Sequence, residues 1–276
     1  MSQPGLDLAL LRGVRASARS VGPLLARIDQ HLDDHEGYLP FSGGKDSLVV
    51  LDLARQVDPE VPVVFFDSGL EYPETYRYVD ELASMWRLNL EVVPAQPTLL
   101  QLLVEDGSWS HHAPRGASNT PSLHQVLIAE PAAQAHGLYG AGELWGVRAG
   151  EARGRAAAYA NALRAEQHRL GCTCTTTGAR AKHGGVIRRV DGTVAYGPIW
   201  DWSTTEVWAH IHRHQLPLNP VYERLRAVGA PEHFLRVSHI VDGSRLEEGR
   251  ITWLRRGWPA LFEELAGALP RLREFV

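Results

Sequence analysis

The chain has 276 residues, of which 44% are hydrophobic and 22% are charged, and its formal net charge is −4. This composition is typical of a globular protein and excludes a fibrous or a disordered chain. The sequence has no apolar run of the ~18 residues that a membrane-spanning helix needs. Its two cysteines, Cys172 and Cys174, are too close together to join distant parts of a fold. We therefore predict a cytoplasmic protein without a membrane segment.

The first half of the chain predicts an N-terminal helical segment followed by alternating strands and helices. Apolar residues at three- and four-residue spacing indicate helices over residues 5–35, divided at Gly22-Pro23. Short apolar segments are then expected to be strands, and helix-length segments separate them. The expected strands are residues 37–41, 61–66 and 88–95, and the expected helices are residues 45–57 and 72–86. This order implies a doubly wound, mostly parallel α/β sheet.

The rest of the chain predicts a polar loop, further helices and one hairpin. Residues 106–122 are rich in small polar residues, which is typical of a loop that covers a binding site. Ser203 and Glu206 form a capping-box pattern at a helix start, and Asp191-Gly192 marks a hairpin turn. The expected helices are residues 123–136, 153–170 and 202–214 and the tail after Arg250; a strand is expected at 144–147 and the hairpin at 186–197.

The segment "SGGKDS", Ser42 to Ser47, lies between the first predicted strand and the helix that follows it. Ligands of open α/β sheets bind beyond the carboxyl ends of the strands. The two glycines allow a close backbone approach, and the helix N-terminus attracts anions. Lys45, one of only two lysines in the chain, adds a compact positive charge. We interpret the segment as a phosphate-binding loop; the alternative is a glycine-rich turn with a surface lysine.

The spacing of this loop differs from that of a Walker A motif. A Walker A loop has four residues between its first glycine and the Gly-Lys pair, and Ser or Thr follows the lysine. Here Asp46 follows Lys45. An acidic residue beside a phosphate site is expected to bind Mg²⁺ or to orient a group that does.

Four segments in order resemble one enzyme family. "SGGKDS" resembles the pyrophosphate loop of the PP-loop ATP pyrophosphatases. "FFDSGLEYPETYRYVDEL", "WGVRAGEARGRA" and "YGPIWDWSTTEVWAHIHRHQLPLNPVY" resemble the later blocks of the phosphoadenosine phosphosulfate (PAPS) reductase family. The resemblance spans roughly residues 38–222. It implies a Rossmann-like PP-loop fold, with an N-terminal helical segment over residues 1–35, a nucleotide domain over 36–222 and a C-terminal helical extension over 223–276.

The resemblance also implies an adenine nucleotide, ATP, bound across the strand ends. Arg153 and Arg155 are expected to bind phosphate or sulfate, because a guanidinium pairs with oxyanions bidentately; the alternative is that they face solvent at a helix start. Lys45 and Asp46 are the expected catalytic residues of the loop, and Asp46 is also the expected metal ligand. The residues expected to contact the nucleotide are Ser42, Gly43, Gly44, Lys45, Asp46, Ser47, Asp67, Ser68, Gly69, Gly146, Val147 and Arg148.

The cysteines differ from the family pattern. PAPS reductases resemble one another in a Glu-Cys-Gly segment whose cysteine attacks the sulfate sulfur, and this sequence has no cysteine after Cys174. Adenylyl sulfate reductases carry paired cysteines for an iron–sulfur cluster, and two cysteines cannot supply four ligands within one chain. The small subunit of ATP sulfurylase needs no cysteine and works with a GTPase partner.

The cysteine pair itself is a candidate for sulfur transfer. Cys172 and Cys174 are expected to carry a persulfide and resolve it as a disulfide, because nearby Arg180, Lys182 and His183 favour the thiolate. The alternatives are an inert buried pair or half of a zinc site completed elsewhere.

Two histidines have helical spacing. His210 and His214 lie one turn apart on one face of the helix over 202–214. A metal site is conceivable there, but we expect exposed surface histidines.

The resulting hypothesis is an ATP pyrophosphatase that activates an acceptor for sulfur incorporation. The missing reductase cysteine, the close thiols and a net charge of +7 over residues 145–256 resemble family members that serve DNA phosphorothioation. A cysteine desulfurase is then the expected sulfur donor and nucleic acid an expected partner. The alternatives are a sulfate-assimilation enzyme, as PAPS reductase or ATP sulfurylase small subunit, or a non-catalytic nucleotide-binding subunit.

Overall fold

The computed structural model describes residues 19–106, 123–238, 240–241 and 249–276. The strands are β1 (Leu39–Pro40), β2 (Val63–Asp67), β3 (Leu90–Pro94), β4 (Gly142–Leu144), β5 (Val186–Arg188) and β6 (Val194–Tyr196). The helices before β4 are α1 (Gly22–His35), α2 (Lys45–Val57), α3 (Pro73–Trp86), α4 (Leu99–Asp106) and α5 (Glu130–Tyr139). Those after it are α6 (Arg153–Arg169), α7 (Thr176–His183), α8 (Thr204–Arg213), α9 (Val221–Ala227), α10 (Arg250–Gly257) and α11 (Pro259–Ala268).

The strands form two three-stranded sheets that meet between β1 and β4. One sheet has the order β1-β2-β3 and is parallel; the other has the order β4-β6-β5, with only β5 antiparallel. Tyr38 forms a parallel bridge to Glu143, and the amide of Leu144 donates to the carbonyl of Tyr38 at 2.9 Å. The six strands therefore run β3-β2-β1-β4-β6-β5, which confirms the predicted mostly parallel α/β sheet.

Helices cover both faces of the sheet because successive strand residues point to opposite sides. Leu39, Phe41, Val63 and Phe65 pack with α1, α2, α3 and α8 in one cluster. Tyr38, Val64 and Val93 pack with Ala135 of α5 on the other face. The sheet is thus doubly wound. A further cluster joins α4 and α9 to α10 and α11.

Several element boundaries were predicted well. Helix α2 covers the predicted residues 45–57, and Pro73 begins α3 as a first-turn proline. Helix α1 begins at Gly22, where the sequence predicts a break in the N-terminal helical segment. The hairpin β5–β6 has Gly192 at a φ of +90° in its turn.

Other elements differ from the prediction. The expected strand at 144–147 lies earlier, at Gly142–Leu144, and the expected helix at 123–136 contains a π-helical turn, Gln125–Ala129, before α5. The helix predicted before Gly22 and most of the polar loop at 106–122 lie outside the described residues. The three-part division stays a prediction: α1 shares its core with the sheet, and α9 crosses the boundary at 222.

Candidate nucleotide-binding site

The candidate site lies where the strand order reverses. From β1 the chain continues to β2 and β3 on one side, whereas β4 lies on the other side of β1. Open α/β sheets bind ligands in the crevice at such a switch point, beyond the carboxyl ends of the strands. The loop 41–44 follows β1 and the segment 145–148 follows β4. These are two of the segments that the sequence predicts to bind the nucleotide.

Gly43 gives the loop its shape. Its φ is +69°, in the left-handed region that favours glycine. A Cβ there would lie 3.3 Å from both the Asn219 side-chain nitrogen and a Thr75 methyl group. The buried Asn219 amide donates to the Gly43 carbonyl at 3.3 Å and to the Thr75 hydroxyl at 3.1 Å. Asn219 is thus a structural residue of the loop.

The N-terminus of α2 opens into this site. Gly44 precedes the helix in an extended conformation, and no side chain caps it. The Lys45 amide donates to the buried Tyr222 hydroxyl oxygen at 2.9 Å, and the Ser47 hydroxyl donates to the Gly44 carbonyl at 3.1 Å. An uncapped helix N-terminus presents amide donors and the positive end of the helix dipole. This geometry suits a phosphate group.

Asp46 lies between two cations. Its Oδ2 is 2.5 Å from Lys45 Nζ, and its Oδ1 is 2.6 Å from Arg148 Nε. Arg148 is buried, and its guanidinium also donates to the Trp202 carbonyl at 3.1 Å and to the Thr204 hydroxyl at 3.4 Å. Arg148 therefore fixes the Asp46 carboxylate, which in turn orients the lysine. The nucleotide would meet Lys45, since Arg148 has most of its donors engaged.

This arrangement does not fit Asp46 as a Mg²⁺ ligand. Both of its carboxylate oxygens already accept hydrogen bonds from cations. A divalent ion on the same oxygens would lie beside two positive charges, and solvent screens them only weakly because the Asp46 side chain is 17% exposed. The structure instead gives Asp46 an orienting role, and we derive no catalytic step through a metal at this residue.

The segment after β4 supports the loop from behind. A Cβ on Gly146 would lie 3.0 Å from the Ser47 amide nitrogen, so only glycine allows this close packing. The Val147 carbonyl accepts from the Tyr159 hydroxyl at 2.8 Å, and the Arg148 amide donates to Glu151 at 3.0 Å. Gly146 and Arg148 therefore lie against the loop. That Gly146, Val147 and Arg148 contact the nucleotide stays a prediction.

The residues after β2 form a closed turn. Asp67 Oδ1 accepts from the Gly69 amide and from the Tyr76 hydroxyl, both at 2.8 Å. The Ser68 hydroxyl donates to Glu71 Oε1 at 2.7 Å. Burial raises the pKa of Glu71 to about 7, despite the Ser68 hydrogen bond. Glu71 is a titratable group near the strand ends that the sequence analysis missed.

Arg153 and Arg155 face solvent at the start of α6. Arg155 is 47% exposed and forms an ion pair with Glu151. Arg153 is exposed, and no ion pair to it occurs within the described part of the chain. This matches the alternative that we gave for both arginines, and their role in phosphate binding stays a prediction.

The cysteine pair lies away from the loop. Cys172 and Cys174 are joined by a disulfide, with Cα atoms 5.3 Å apart. The Cys172 amide donates to the Gln167 carbonyl at 3.0 Å at the end of α6. From Arg153 to Gln167 the helix rises about 21 Å. The structure thus separates the two thiols from the start of α6, beside Arg148, and their predicted catalytic role stays a prediction.

Three contacts of the site come from residues that the sequence analysis did not assign to it. The Tyr222 hydroxyl accepts from the Lys45 amide, 177 residues away in the sequence. Trp202 and Thr204 accept from the Arg148 guanidinium, 54 and 56 residues away. Tyr222 and Trp202 belong to the last segment of the family resemblance, which was the one signal that pointed to them. Burial raises the pKa of Tyr222, so its hydroxyl stays protonated.

Comparisons with known proteins point to one family. A family model described as the phosphoadenosine phosphosulfate reductase domain matches residues 37–231. The PAPS reductase of Thiocapsa roseopersicina is 29% identical, covering 81% of this chain and 85% of that protein. That of Xylella fastidiosa is 28% identical, covering 71% and 70%. The PAPS reductase structure from Candida auris has a TM-score of 0.48 at 18% identity, covering 81% and 92%.

These matches confirm the resemblance and the prediction of an enzyme. Among the described residues, no helix is both long and apolar enough to cross a bilayer. The matched model covers well over half of the sequence, and the chain therefore belongs to the phosphoadenosine phosphosulfate reductase domain family.

Proposed function

We propose that this protein binds ATP at the switch point and cleaves it between the α and β phosphates. The observation that supports this most directly is the loop itself. Lys45 is paired with Asp46, which Arg148 fixes, at the N-terminus of α2. A lysine and helix amides at one point suit the charge of a pyrophosphate group.

The chemistry follows from where charge develops. An acceptor oxygen attacks the α phosphorus of ATP. The bond between that phosphorus and the oxygen that bridges the α and β phosphates breaks, and pyrophosphate leaves with the electron pair of this bond. The Lys45 side chain and the amides that follow Lys45 in the first turn of α2 stabilise the negative charge on that leaving group. The acceptor is then adenylylated, and a sulfur nucleophile can displace AMP from it.

The acceptor that we favour is a nucleic acid backbone phosphate, as in DNA phosphorothioation. The support is the net charge of +7 over residues 145–256. A cysteine desulfurase is the matching sulfur donor. Cys172 and Cys174 would relay the sulfur as a persulfide, which requires that their disulfide first be reduced.

The test is the product pattern with ATP in the presence of a divalent cation and candidate acceptors. We expect AMP and pyrophosphate. Lys45→Ala should lower the rate about 100-fold, as the loss of one charge-stabilising donor does. Lys182→Ala removes the other lysine of the chain, at the exposed end of α7, and should leave the rate unchanged. Release of ADP and phosphate would contradict the proposed bond cleavage.

A second candidate is reduction of a sulfonucleotide, favoured by the names of the relatives and by two cysteines close enough to form a disulfide. One thiolate would attack the sulfur of PAPS and release adenosine 3′,5′-bisphosphate. The second thiol would then displace sulfite and close the disulfide, so that the dithiol supplies both electrons. This requires the pair to approach the loop.

Pre-reduced protein mixed with PAPS separates the two candidates. Reduction predicts about one sulfite per chain in a single turnover, and none from Cys172→Ser or Cys174→Ser. Sulfite formation without AMP formation from ATP would favour reduction over the primary proposal.

A further inference from the structure

The cluster of Asp52, His210 and His214 lies outside the nucleotide site. Asp52 lies on α2, His210 on the last turns of α8, and His214 caps the end of that helix. His210 Nε2 lies 2.8 Å from Asp52 Oδ2, and the rings of His210 and His214 stack with centroids 4.2 Å apart. The sequence analysis expected exposed histidines, which is wrong for His210, because it is only 3% exposed.

We propose that Asp52, His210 and His214 form a site for a divalent transition-metal ion, with Zn²⁺ as the best fit. One ligand atom from each residue lies within 4.8 Å of the other two. Two imidazole nitrogens and one carboxylate oxygen are a donor set that zinc accepts, with water as the fourth ligand. Tetrahedral zinc holds its ligand atoms about 3.3 Å apart, so modest side-chain movements admit the ion.

The surroundings favour a cation. The carbonyl end of a helix carries partial negative charge, and His210 and His214 lie at that end of α8. His214 is exposed while His210 is buried, which gives the ion a path from solvent.

The site would tie together the two helices that build the nucleotide site. Asp52 lies six residues after Asp46 on α2, and His210 lies six residues after Thr204 on α8. Each of these two separations corresponds to about 9 Å along the helix axis. Thr204 accepts from Arg148, which holds Asp46. A metal between the helices would therefore stabilise the frame of the site without touching the nucleotide.

The experiment uses the full chain without a histidine tag, from which a chelator has removed bound metal. Thiol reductant is left out so that the Cys172–Cys174 disulfide stays closed. Co²⁺ is titrated while its visible d–d absorption is recorded, and Zn²⁺ is then added as a competitor. We expect one Co²⁺ per chain with the spectrum of a four- or five-coordinate ion, displaced by Zn²⁺. Zn²⁺ should also raise the melting temperature.

His214→Ala removes one ligand and retains the hydrogen bond between His210 and Asp52. It should weaken Co²⁺ binding at least about tenfold and abolish the zinc-dependent rise in melting temperature. His212→Ala, an exposed histidine on the same helix, is the matched control and should bind as the wild type does.

Three outcomes would overturn the proposal. The first is a wild-type protein that binds no Co²⁺, and the second is equal binding by His214→Ala. The third is binding that disappears in a Cys172→Ser/Cys174→Ser double variant. That would assign the ion to those cysteines and His183, whose ligand atoms also lie within 4.8 Å of one another.

Discussion

Lys45 is the residue on which the proposed chemistry depends. Its side chain is only 11% exposed, and its ammonium group lies 2.5 Å from Asp46 Oδ2 beside a glycine-lined turn. A guanidinium would bring a planar group of larger volume into that space. The chain contains 26 arginines, so the lysine at this position reflects shape rather than charge alone.

We expect Lys45→Arg to weaken ATP binding by more than about 1 kcal/mol, the size of a typical substitution effect. The free energy of unfolding should barely change, because arginine keeps a positive charge beside Asp46. Titration of a non-hydrolysable ATP analogue against both proteins measures the first effect, and urea unfolding measures the second. Equal affinities would mean that any cation serves at this position.

His31 should make the stability of the protein depend on pH. Burial, followed by the charge of His35, lowers the pKa of His31 from 6.5 to about 4. Its Nε2 has no hydrogen-bond partner among the described residues. The unfolded chain therefore binds a proton between pH 6.5 and 4 that the folded chain excludes. The folded state loses stability as pH falls through this window.

Between about pH 7 and pH 5 we expect this group to remove about 2 kcal/mol from the free energy of unfolding. Urea unfolding at both pH values measures it. In His31→Gln, the decrease in the free energy of unfolding between the two pH values should be about 2 kcal/mol smaller than in the wild type. His212→Gln changes an exposed histidine and should show the wild-type decrease. Identical pH profiles for His31→Gln and wild type would contradict the assignment.

At the level of elements, the loop between β1 and α2 depends on the backbone of Gly43. Gly43 has a φ of +69°, whereas Gly44 has an ordinary φ of −85°. The two neighbours thus provide a matched pair of substitutions.

We expect Gly43→Ala to lower the free energy of unfolding by about 1–2 kcal/mol, the cost of a left-handed conformation for an L-residue, and to weaken ATP binding as the loop shifts. Gly44→Ala should cost less, because its φ of −85° suits an L-residue. Its Cβ would lie 3.2 Å from the Ser42 hydroxyl and 3.6 Å from Tyr222 and Val237. Chemical unfolding and ATP titration of both variants check this. A larger loss of stability for Gly44→Ala would show that the loop has another conformation.

For the whole molecule, the C-terminal helices α10 and α11 are attached to α3 through Trp258. The buried Trp258 side chain donates to Glu74 of α3 at 2.7 Å and packs against Tyr72. Arg224 of α9 forms an ion pair with the same glutamate. This connection joins α3, α9 and the start of α11.

Trp258→Ala should lower the free energy of unfolding by about 3–5 kcal/mol, because it leaves a large cavity and removes a donor from a buried carboxylate. Trp253→Ala, at a half-buried position in α10, should cost clearly less. Thermal and urea unfolding of both variants measure the difference. Similar small losses in both would indicate that the C-terminal helices contribute little to the fold.

The sequence by itself determined the elements and the family. Periodicity gave α2 with the observed bounds, Pro73 marked the start of α3, and Ser203 and Glu206 form the predicted capping box. These features depend on residues within a few positions of one another, so local propensities and hydrogen bonds decide them. The loop Ser42–Ser47 was identified for the same reason.

The tertiary structure alone decided what those residues contact. Arg148 reaches Asp46 across 102 residues, the Lys45 amide reaches Tyr222 across 177, and His210 reaches Asp52 across 158. Because of the contact with Arg148, Asp46 orients Lys45, whereas the sequence analysis expected a metal ligand. His210, expected at the surface, is buried beside Asp52. Such partners are brought together by the packing of helices on a doubly wound sheet, and the spacing of residues along the chain does not encode which of them meet.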